Sequence, residues 1–262
     1  TTMKGLFYAT SMVAMAAVIT SCGNGGAKKA AADSTAMAAD SNVVVLFDGT
    51  SLDGWRGYNK DTVPSAWTLA DGCIKINGSG AGESGARNGG DLIFGAEKFG
   101  NFELSFEWKV AKGSNSGVFY MIQEVPDTPS YYSAPEYQIL DNENHPDAKL
   151  GVDGNRKSAS LYDMIPAKPQ NSKPFGEWNT GKIMVYKGTV VHYQNGENVL
   201  EYHLWTPEWQ AMLDKSKFSK DKNEKAYNLL LNCGGDQKEG YIGLQDHGDD
   251  VWYRNITVKK LD

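Results

Sequence analysis

Apolar and polar side chains alternate without a break from residue 102 to residue 110. The apolar positions are Phe102, Leu104, Phe106, Trp108 and Val110. Successive side chains of a β-strand point to opposite faces, so this pattern predicts an antiparallel strand with one buried and one solvated face. A turn-prone segment follows at residues 112–115, and we expect residues 117–122 to return as the partner of the first strand.

Short strand patterns separated by turns continue through the C-terminal half. The predicted strands are a meander of residues 183–186, 190–193 and 198–202, followed by residues 241–245 and 252–258. The dipeptide Asn195-Gly196 between the last two strands of the meander is a strong hairpin signal, because both residue types tolerate positive φ.

A single segment, residues 207–218, has helical spacing of its apolar side chains. Thr206 can cap this helix, and Pro207 suits the first helical position. We expect the charged residues 215–225 to form a surface loop. The succession of short strands predicts an all-β domain, a jelly-roll β-sandwich with one short surface helix.

The first 41 residues differ in composition from the rest. An apolar, Ala- and Met-rich stretch covers residues 6–19 and ends at Ile19-Thr20-Ser21-Cys22, which resembles the lipidation site of bacterial lipoproteins. We therefore expect a lipoprotein signal peptide at 1–22 with lipidation at Cys22, a flexible tether at 23–41 and the folded domain at 42–262. The alternative is an ordinary secretory signal with a coincidental cysteine.

A lipid-anchored export product of this kind is expected on the outer membrane. The periplasmic side is favoured over the cell surface because residues 23–26 contain no acidic cluster. With Cys22 lipidated, Cys73 and Cys233 either form a disulfide in an oxidising compartment or remain separate core thiols, and the sequence leaves both alternatives open.

Charge and motif content exclude several functional classes. The 262 residues contain 26 basic and 32 acidic side chains, which gives a formal net charge of −6. The chain lacks a basic stripe, so nucleic acid is not an expected partner. The four histidines have no metal-binding His-x-x-x-His spacing, and the Gly-rich residues 78–90 lack the Gly-Lys-Ser/Thr of a phosphate-binding loop.

Candidate chemistry is densest between residues 136 and 147. On a strand, Glu136 and Gln138 share one face, and the turn after the strand carries Asp141 and His145. Carboxylates and an imidazole at a strand exit can perform acid–base catalysis, and the amide can bind sugar hydroxyls. The alternatives are a solvated acidic hairpin end and a calcium site formed by the oxygen ligands Asp141, Asn142, Asp147 and Asp153.

Other candidates lie in loops. His145 and His247 both sit in polar turns beside acids, which suits a general acid or base, although a hydrogen-bonded turn histidine has the same pattern. Aromatic rings in polar loops can stack against sugar rings, or they can pack within their own loops. These rings belong to Tyr131, Tyr132, Tyr162 and Trp178.

Six ordered motifs together resemble the 3-keto-disaccharide hydrolase family. They are residues 46–55 (LFDGTSLDGW), 113–119 (GSNSGVF), 136–147 (EYQILDNENHPD), 176–179 (GEWN), 245–248 (QDHG) and 251–256 (VWYRNI). The resemblance implies a concanavalin A-like jelly roll that cleaves glycosides already oxidised at C3 of the sugar. A ketone at C3 acidifies the hydrogen at C2, so a base can remove it, the aglycone leaves C1, and water adds.

The resemblance also implies roles for residues. His145 or Glu136 would be the base, and Asp141 and His247 would act as acids or as metal ligands. The enediolate would need a cation, for which a divalent metal ion is a candidate cofactor. Asn115, Gln138 and Gln245 would bind sugar hydroxyls. Apart from the resemblance, the loop rings of Tyr162 and Trp178 are further candidates for substrate binding. An oxidoreductase that makes the 3-keto sugar is an expected functional partner.

Two alternatives to this chemistry remain. The spacing Glu136-x-Gln138-x-x-Asp141 is similar to the acid arrangement of jelly-roll endoglucanases, which would make the protein a conventional retaining glycosidase. The amide in the middle and the shorter Asp at the end depart from that pattern. A non-catalytic carbohydrate-binding module is the other alternative, because the same fold also serves as a sugar-binding scaffold.

Overall fold

The computed structural model describes residues 40–78 and 90–262. The predicted signal peptide, the lipidation site at Cys22 and almost all of the predicted tether lie outside these residues, as does most of the Gly-rich run. Within the described ranges, no helix is long and apolar enough to cross a membrane. Cys73 and Cys233 are both buried free thiols.

The described part folds into two antiparallel sheets and two helices, as the all-β prediction requires. The strands are β1 (Val43–Phe47), β2 (Trp55–Gly57), β3 (Trp67–Ala70), β4 (Cys73–Ile76), β5 (Leu92–Phe94), β6 (Phe102–Val110), β7 (Asn115–Ile122), β8 (Glu136–Leu140), β9 (Asn179–Tyr186), β10 (Thr189–Gln194), β11 (Glu197–His203), β12 (Tyr241–Leu244) and β13 (Val251–Lys260). The helices are α1 (Pro207–Lys215) and α2 (Glu224–Leu231).

The larger sheet has eight strands in the order β11-β10-β9-β6-β13-β4-β3, with β1 paired to β13. The smaller sheet has five, in the order β2-β5-β12-β7-β8. Inward-facing side chains of both sheets form one core, in which Phe106 of β6 meets Tyr137 of β8 edge to face with ring centroids 5.2 Å apart. The predicted meander is confirmed as β9, β10 and β11.

One predicted pairing is wrong. Strand β6 alternates between buried and half-buried side chains as expected, but its partners are β9 and β13. The turn after β6 carries the chain across to the smaller sheet, where β7 pairs with β8 and β12. All residues of β7 are buried, and Phe119 and Ile122 on its outer face lie beneath the half-buried rings of Tyr58, Tyr131 and Tyr241.

The prediction of a single helix is also corrected. Helix α1 begins as expected, because Pro207 occupies its first turn and the Thr206 hydroxyl accepts a hydrogen bond from the Trp209 amide at 3.2 Å. A second helix, α2, begins within the segment predicted to be a surface loop, where the side chain of Asn223 accepts from the Ala226 amide at 3.0 Å. Its Ala226, Tyr227 and Leu230 are buried, so the helical signal was present in the sequence.

A polar network lies inside the core. His192 of β10 is fully buried, and its Nδ1 lies 2.8 Å from the Ala159 carbonyl oxygen, which can only accept. Nδ1 therefore carries the proton, and Nε2 accepts from the Tyr120 hydroxyl at 2.8 Å. The Tyr202 hydroxyl in turn donates to that of Tyr120 at 2.6 Å. Burial lowers the pKa of His192 to about 4.

Candidate active site

Strand β8 divides its side chains between the core and a pocket. Tyr137 and Ile139 belong to the core, whereas Glu136 and Gln138 line a pocket on the outer face of the smaller sheet, so the predicted alternation is confirmed. The neighbouring strand β7 pairs Gly117 with Gln138. The Gly117 carbonyl oxygen accepts a hydrogen bond from the Gln245 amide at 2.9 Å. Strands β8 and β7 and the residue that follows β12 thus form the floor of the pocket.

The pocket has an empty volume of about 290 Å³, part of which is open to solvent. Six of the nine catalytic and substrate-binding residues predicted from the sequence line it: Asn115, Glu136, Gln138, Tyr162, Gln245 and His247. The other lining side chains are Tyr131, Asp147 and Lys217. Carboxylates, amides, an imidazole and an ammonium group therefore surround a space that tyrosine rings flank.

The Glu136 carboxyl packs directly against Gly117. A Cβ at position 117 would collide with Glu136 Oε1 and would come within 2.9 Å of Cδ. The absence of a side chain at 117 therefore sets the position of the Glu136 carboxyl above the sheet, and Glu136 is buried there with 7% of its surface exposed.

The substitution Gly117→Ala is expected to lower catalytic turnover about 10²-fold, because a displacement of about 1 Å of a reacting group can have that effect. The fold should survive, since the new methyl group can displace a side chain rather than the backbone. Activity and thermal unfolding of the variant test this. Gly176→Ala is the control: a Cβ there meets open space but φ is +81°, so backbone strain should lower its stability while activity is retained. Normal turnover in Gly117→Ala would contradict the proposed placement of Glu136.

One wall of the pocket is an ion-paired network. The Tyr162 hydroxyl donates to Asp147 Oδ2 at 2.9 Å, and Arg156 donates to Asp147 Oδ1 at 3.0 Å and to Asp163 Oδ1 at 2.7 Å. Burial and the nearby carboxylates of Glu136 and Asp147 raise the pKa of Tyr162. Tyr162 therefore remains a protonated hydrogen-bond donor, and Asp147 is held by two donors.

Lys217 supplies a positive charge that the sequence analysis missed. Its Nζ lies 4.5 Å from the centroid of the Tyr162 ring, and its backbone amide donates to Asp163 Oδ2 at 2.8 Å. The residue lies between α1 and α2, in the segment expected to be a surface loop. Tertiary contacts place this ammonium group at the pocket, through the backbone bond to Asp163 and through packing over the rings of Tyr131 and Tyr162.

His145 and His247 come together although 102 positions separate them in the numbering. Their ring centroids are 5.9 Å apart, and Asp249 Oδ2 lies 3.9 Å from His247 Nδ1. Burial and the neighbouring His247 lower the pKa of His145. Burial raises the pKa of Asp249. Asp249 is a further site residue that sequence analysis missed, although it is only two residues from His247.

These three side chains are the ones best placed to hold a metal, since one ligand atom from each lies within 4.8 Å of the others. Two imidazoles and one carboxylate suit a transition metal ion better than calcium or magnesium. At His145, however, Nδ1 accepts from the Asp147 amide at 3.1 Å, so the neutral ring carries its proton on Nε2. A metal ion on Nδ1 of His145 would displace the Asp147 amide. A metal ion on Nε2 would require the ring proton to move to Nδ1, where it would face that same amide hydrogen.

Asn115 is aimed into the pocket from the first position of β7. Its side chain is buried, and its Oδ1 has no hydrogen-bond partner in the described part of the chain. Its backbone amide donates to Asp249 Oδ2 at 3.0 Å. A buried carbonyl oxygen without a donor is costly, so a ligand hydroxyl at this position would restore the missing hydrogen bond.

Of the three predicted site residues that do not line the pocket, His145 contacts His247, and Asp141 and Trp178 lie elsewhere. Asp141 is buried beneath the turn, where its carboxylate accepts from the Gly113 amide at 2.7 Å, from the Asn144 side chain at 2.8 Å and from two further turn amides. It shapes the turn that carries His145. Among the described residues, Asp141, Asp147 and Asp153 do not form a group whose carboxylate oxygens lie close enough to share an ion, which argues against the calcium alternative.

Trp178 lies on the outer face of the larger sheet. The guanidinium of Arg254 sits 3.9 Å from its ring centroid, and Lys109 Nζ lies 5.0 Å away. Arg254 belongs to β13 and Lys109 to β6, both strands of the larger sheet. The predicted role of Trp178 in substrate binding is therefore corrected, because cation–π packing in its own surroundings accounts for the ring.

Comparison with known proteins gives this site a family. The sequence profile of the 3-keto-alpha-glucoside-1,2-lyase-like domain matches residues 42–259. The chain belongs to this family. A Bacteroides thetaiotaomicron protein named 3-keto-disaccharide hydrolase is 57% identical and matches 99% of this chain and 100% of its own length. The resemblance found in the sequence motifs is thus confirmed, and the chain is an enzyme of the lyase-like domain family.

Solved structures agree with the fold. A crystal structure of a candidate glycosyl hydrolase from Parabacteroides distasonis superimposes with a TM-score of 0.70 at 27% identity and covers 84% of this chain and 94% of its own. A second structure from the same organism, with a TM-score of 0.63 at 24% identity, covers 84% of this chain and 99% of its own. At 24% identity, the second structure supports the fold only.

Proposed function

We propose that this carbohydrate hydrolase cleaves glycosides oxidised at C3 by elimination and hydration. Family membership and the name of the Bacteroides thetaiotaomicron relative support the substrate class. The observation that carries the chemistry is the convergence of Glu136, Lys217 and His247 in one pocket, because the reaction needs a base, a cation and an acid.

Glu136 is assigned as the base. It lines the pocket, whereas His145 lies behind His247 and uses Nδ1 to accept from the Asp147 amide. Glu136 takes the proton from C2, and the C2–H electron pair forms an enediolate with the C3 carbonyl. The C1–O bond then breaks and its electron pair leaves on the aglycone oxygen, which takes a proton from His247. Water adds at C1 and a proton returns to C2.

Lys217 is assigned to the negative charge that develops on the C3 oxygen. An ammonium group placed before the reaction stabilises an enediolate without reorganisation of solvent. A divalent metal ion bound by His145, His247 and Asp249 is the second candidate, and when bound it would act as a Lewis acid at the same oxygen. The hydrogen bond at His145 favours Lys217.

Amides and rings hold the sugar. The Asn115 Oδ1 atom accepts from a hydroxyl, and the Gln138 and Gln245 side chains line the pocket from the two neighbouring strands. Tyr162 borders the sugar from the pocket wall, where its hydroxyl donates to Asp147 and the ammonium group of Lys217 lies over its ring. This arrangement orients the C2–H bond toward Glu136.

The retaining-glycosidase alternative needs a second carboxylate about 5–5.5 Å from the first. Asp141, the sequence candidate, accepts hydrogen bonds from the turn. Asp147, the other carboxylate in the pocket, accepts from Arg156 and Tyr162. Because both carboxylates are held by these donors, neither is positioned to attack the sugar as a nucleophile. This favours the proton-abstraction mechanism.

The test of the function compares a 3-keto nitrophenyl glucoside with its unoxidised parent. Release of nitrophenol from the keto substrate alone is expected, because only the ketone acidifies C2. Release from the parent would support the retaining mechanism instead. Sugar binding without release from either substrate would indicate a non-catalytic module.

The identity of the cation is tested separately. Lys217→Met is expected to lower turnover of the keto substrate about 10²-fold, the effect of removing one charge-stabilising group. Dialysis against EDTA should leave turnover unchanged. Lys149→Met, a substitution at an exposed lysine of the neighbouring turn, is the matched control. Loss of turnover after EDTA treatment, with recovery on addition of Zn²⁺ or Mn²⁺, would assign the role to the His145–His247–Asp249 cluster.

The proposal also includes a partner enzyme and export of this protein. The 3-keto substrate must be produced by a sugar oxidoreductase acting at C3. Lipidation at Cys22 would place the enzyme on the outer membrane, on the periplasmic side. Fractionation of cells that express the full chain or its Cys22→Ser variant tests the anchor, and retention of the variant in the membrane fraction would contradict it.

A further inference from the structure

A second pocket adjoins the first on the same face of the smaller sheet. Its empty volume is about 820 Å³, and it is bordered by Tyr58, Asp91, Ser130 and Asp246. None of these residues has a part in the chemistry above. Its floor includes the residues just before β5 and just after β12, and these two strands pair with each other.

The two pockets share a wall. Tyr131 lines both of them. After the end of β12 the chain alternates between them, because Gln245 and His247 line the first pocket and Asp246 lines the second. A ligand that occupies the first pocket can therefore extend past Tyr131 into the second without leaving the protein surface.

The second pocket presents carboxylates and rings. Asp91 Oδ1 accepts from the Asp246 amide at 2.9 Å, and Asp91 Oδ2 accepts from the Ser130 hydroxyl. The Asp246 carboxylate accepts from the amides of Gly90 and Gly248, both at 2.9 Å. A carboxylate has about four acceptor positions, so both groups retain capacity for further donors.

This chemistry selects a neutral, hydroxyl-rich ligand. Sugar hydroxyls can donate to the remaining lone pairs of Asp91 and Asp246, and the apolar faces of a sugar ring can lie against Tyr58 and Tyr131. An anionic group such as a phosphate would meet two carboxylates, against the one ammonium charge that Lys60 places beside Gly90, so the balance of charge repels it.

We propose that the second pocket binds the leaving group of the substrate, a neutral sugar, while the oxidised ring occupies the first pocket. This inference rests on the proposed function. It makes the protein a disaccharide enzyme rather than one that accepts any 3-keto glycoside equally, and it makes Asp91 a specificity residue.

The experiment uses Asp91→Asn, which keeps the shape of the side chain. The Asn oxygen can accept from the Asp246 amide, and its NH₂ can donate to Ser130. Burial raises the pKa of Asp91 to about 6, so an uncharged replacement should be compatible with the fold, and thermal unfolding checks this. Asp53→Asn, an exposed position, is the matched control.

Each variant is assayed with a 3-keto disaccharide of two glucose units and with 3-keto methyl glucoside, whose methanol leaving group is too small to fill the second pocket. Asp91→Asn is expected to raise KM for the disaccharide about tenfold, the effect of weakening one hydrogen bond to a charged group. KM and kcat for the methyl glucoside should change less than twofold. Equal effects on both substrates, or no effect on either, would overturn the inference.

A binding measurement separates this inference from the proposed function. Unmodified glucose, which is the product from the second pocket, is titrated into the protein and followed by NMR. Weaker glucose binding in Asp91→Asn than in Gln138→Ala supports the second pocket even if every keto substrate is inert. Turnover of keto substrates together with glucose binding that Asp91→Asn leaves unchanged would keep the function and reject the leaving-group pocket.

Discussion

Replacement of Glu136 by Gln should reduce kcat on a 3-keto glycoside by about 10²–10⁴-fold, the range expected when a general base is removed. The substitution keeps the size of the side chain and therefore its packing against Gly117. It removes the only function that the mechanism assigns to the carboxylate, which is to accept the C2 proton. KM should change little, because the proton transfer occurs after binding.

Steady-state kinetics and exchange of the C2 hydrogen with deuterated solvent measure this effect. Both the elimination and the exchange should slow together in Glu136→Gln. The control is Glu201→Gln, since the Glu201 side chain of β11 is 51% exposed and lies on the larger sheet. A variant that retains normal exchange would exclude Glu136 as the base and return the role to His145.

The second large effect concerns stability in acid. His192 has a pKa of about 4 in the folded protein, against 6.5 for an ordinary histidine. Its folded pKa is depressed, so the stabilisation of the neutral ring is fully present above pH 6.5. It is lost as the pH falls toward 4, because the unfolded chain then binds a proton that the folded chain does not. The total loss is about 3 kcal/mol in the free energy of unfolding.

Urea unfolding of the wild type and of His192→Leu at pH 7.5 and pH 4.5 tests this. At pH 7.5 the variant should be less stable by about 1–3 kcal/mol, because the Ala159 carbonyl loses its donor and the Tyr120 hydroxyl loses its acceptor. At pH 4.5 the difference should shrink by about 2 kcal/mol. His203→Leu, at an exposed position of β11, is the control and should change the free energy of unfolding at pH 7.5 by less than about 0.5 kcal/mol. A constant difference between wild type and His192→Leu at the two pH values would show that His192 does not titrate as proposed.

Local pattern was sufficient for the strands from residue 102 onward and for much of the pocket. The period of two in β6 and β8 predicted which side chains face inward, because in each strand one face packs against the core. The same period placed Glu136 and Gln138 together on the outer face of β8. Turn chemistry such as Asn195-Gly196 was enough to predict the meander, since each hairpin depends on residues within a few positions.

Long-range contacts were beyond the sequence pattern. Whether β7 pairs with β6 or crosses to the other sheet depends on which surface covers its outer face, and the rings that cover it come from residues 58, 131 and 241. Lys217 reaches the pocket through its contact with Asp163. Trp178 showed the opposite error, because its polar loop indicated exposure near a ligand whereas Arg254 covers the ring.

The composition of the pocket walls decides which optical signal can follow binding. All seven tryptophans of the chain lie outside the lining of the first pocket, which contains Tyr131 and Tyr162 instead. Trp108 and Trp209 are fully buried in the core. Tryptophan emission is therefore expected to follow the integrity of the fold, whereas occupancy of the first pocket is expected to perturb directly only Tyr131 and Tyr162 among the 13 tyrosines, which calls for a difference absorption spectrum.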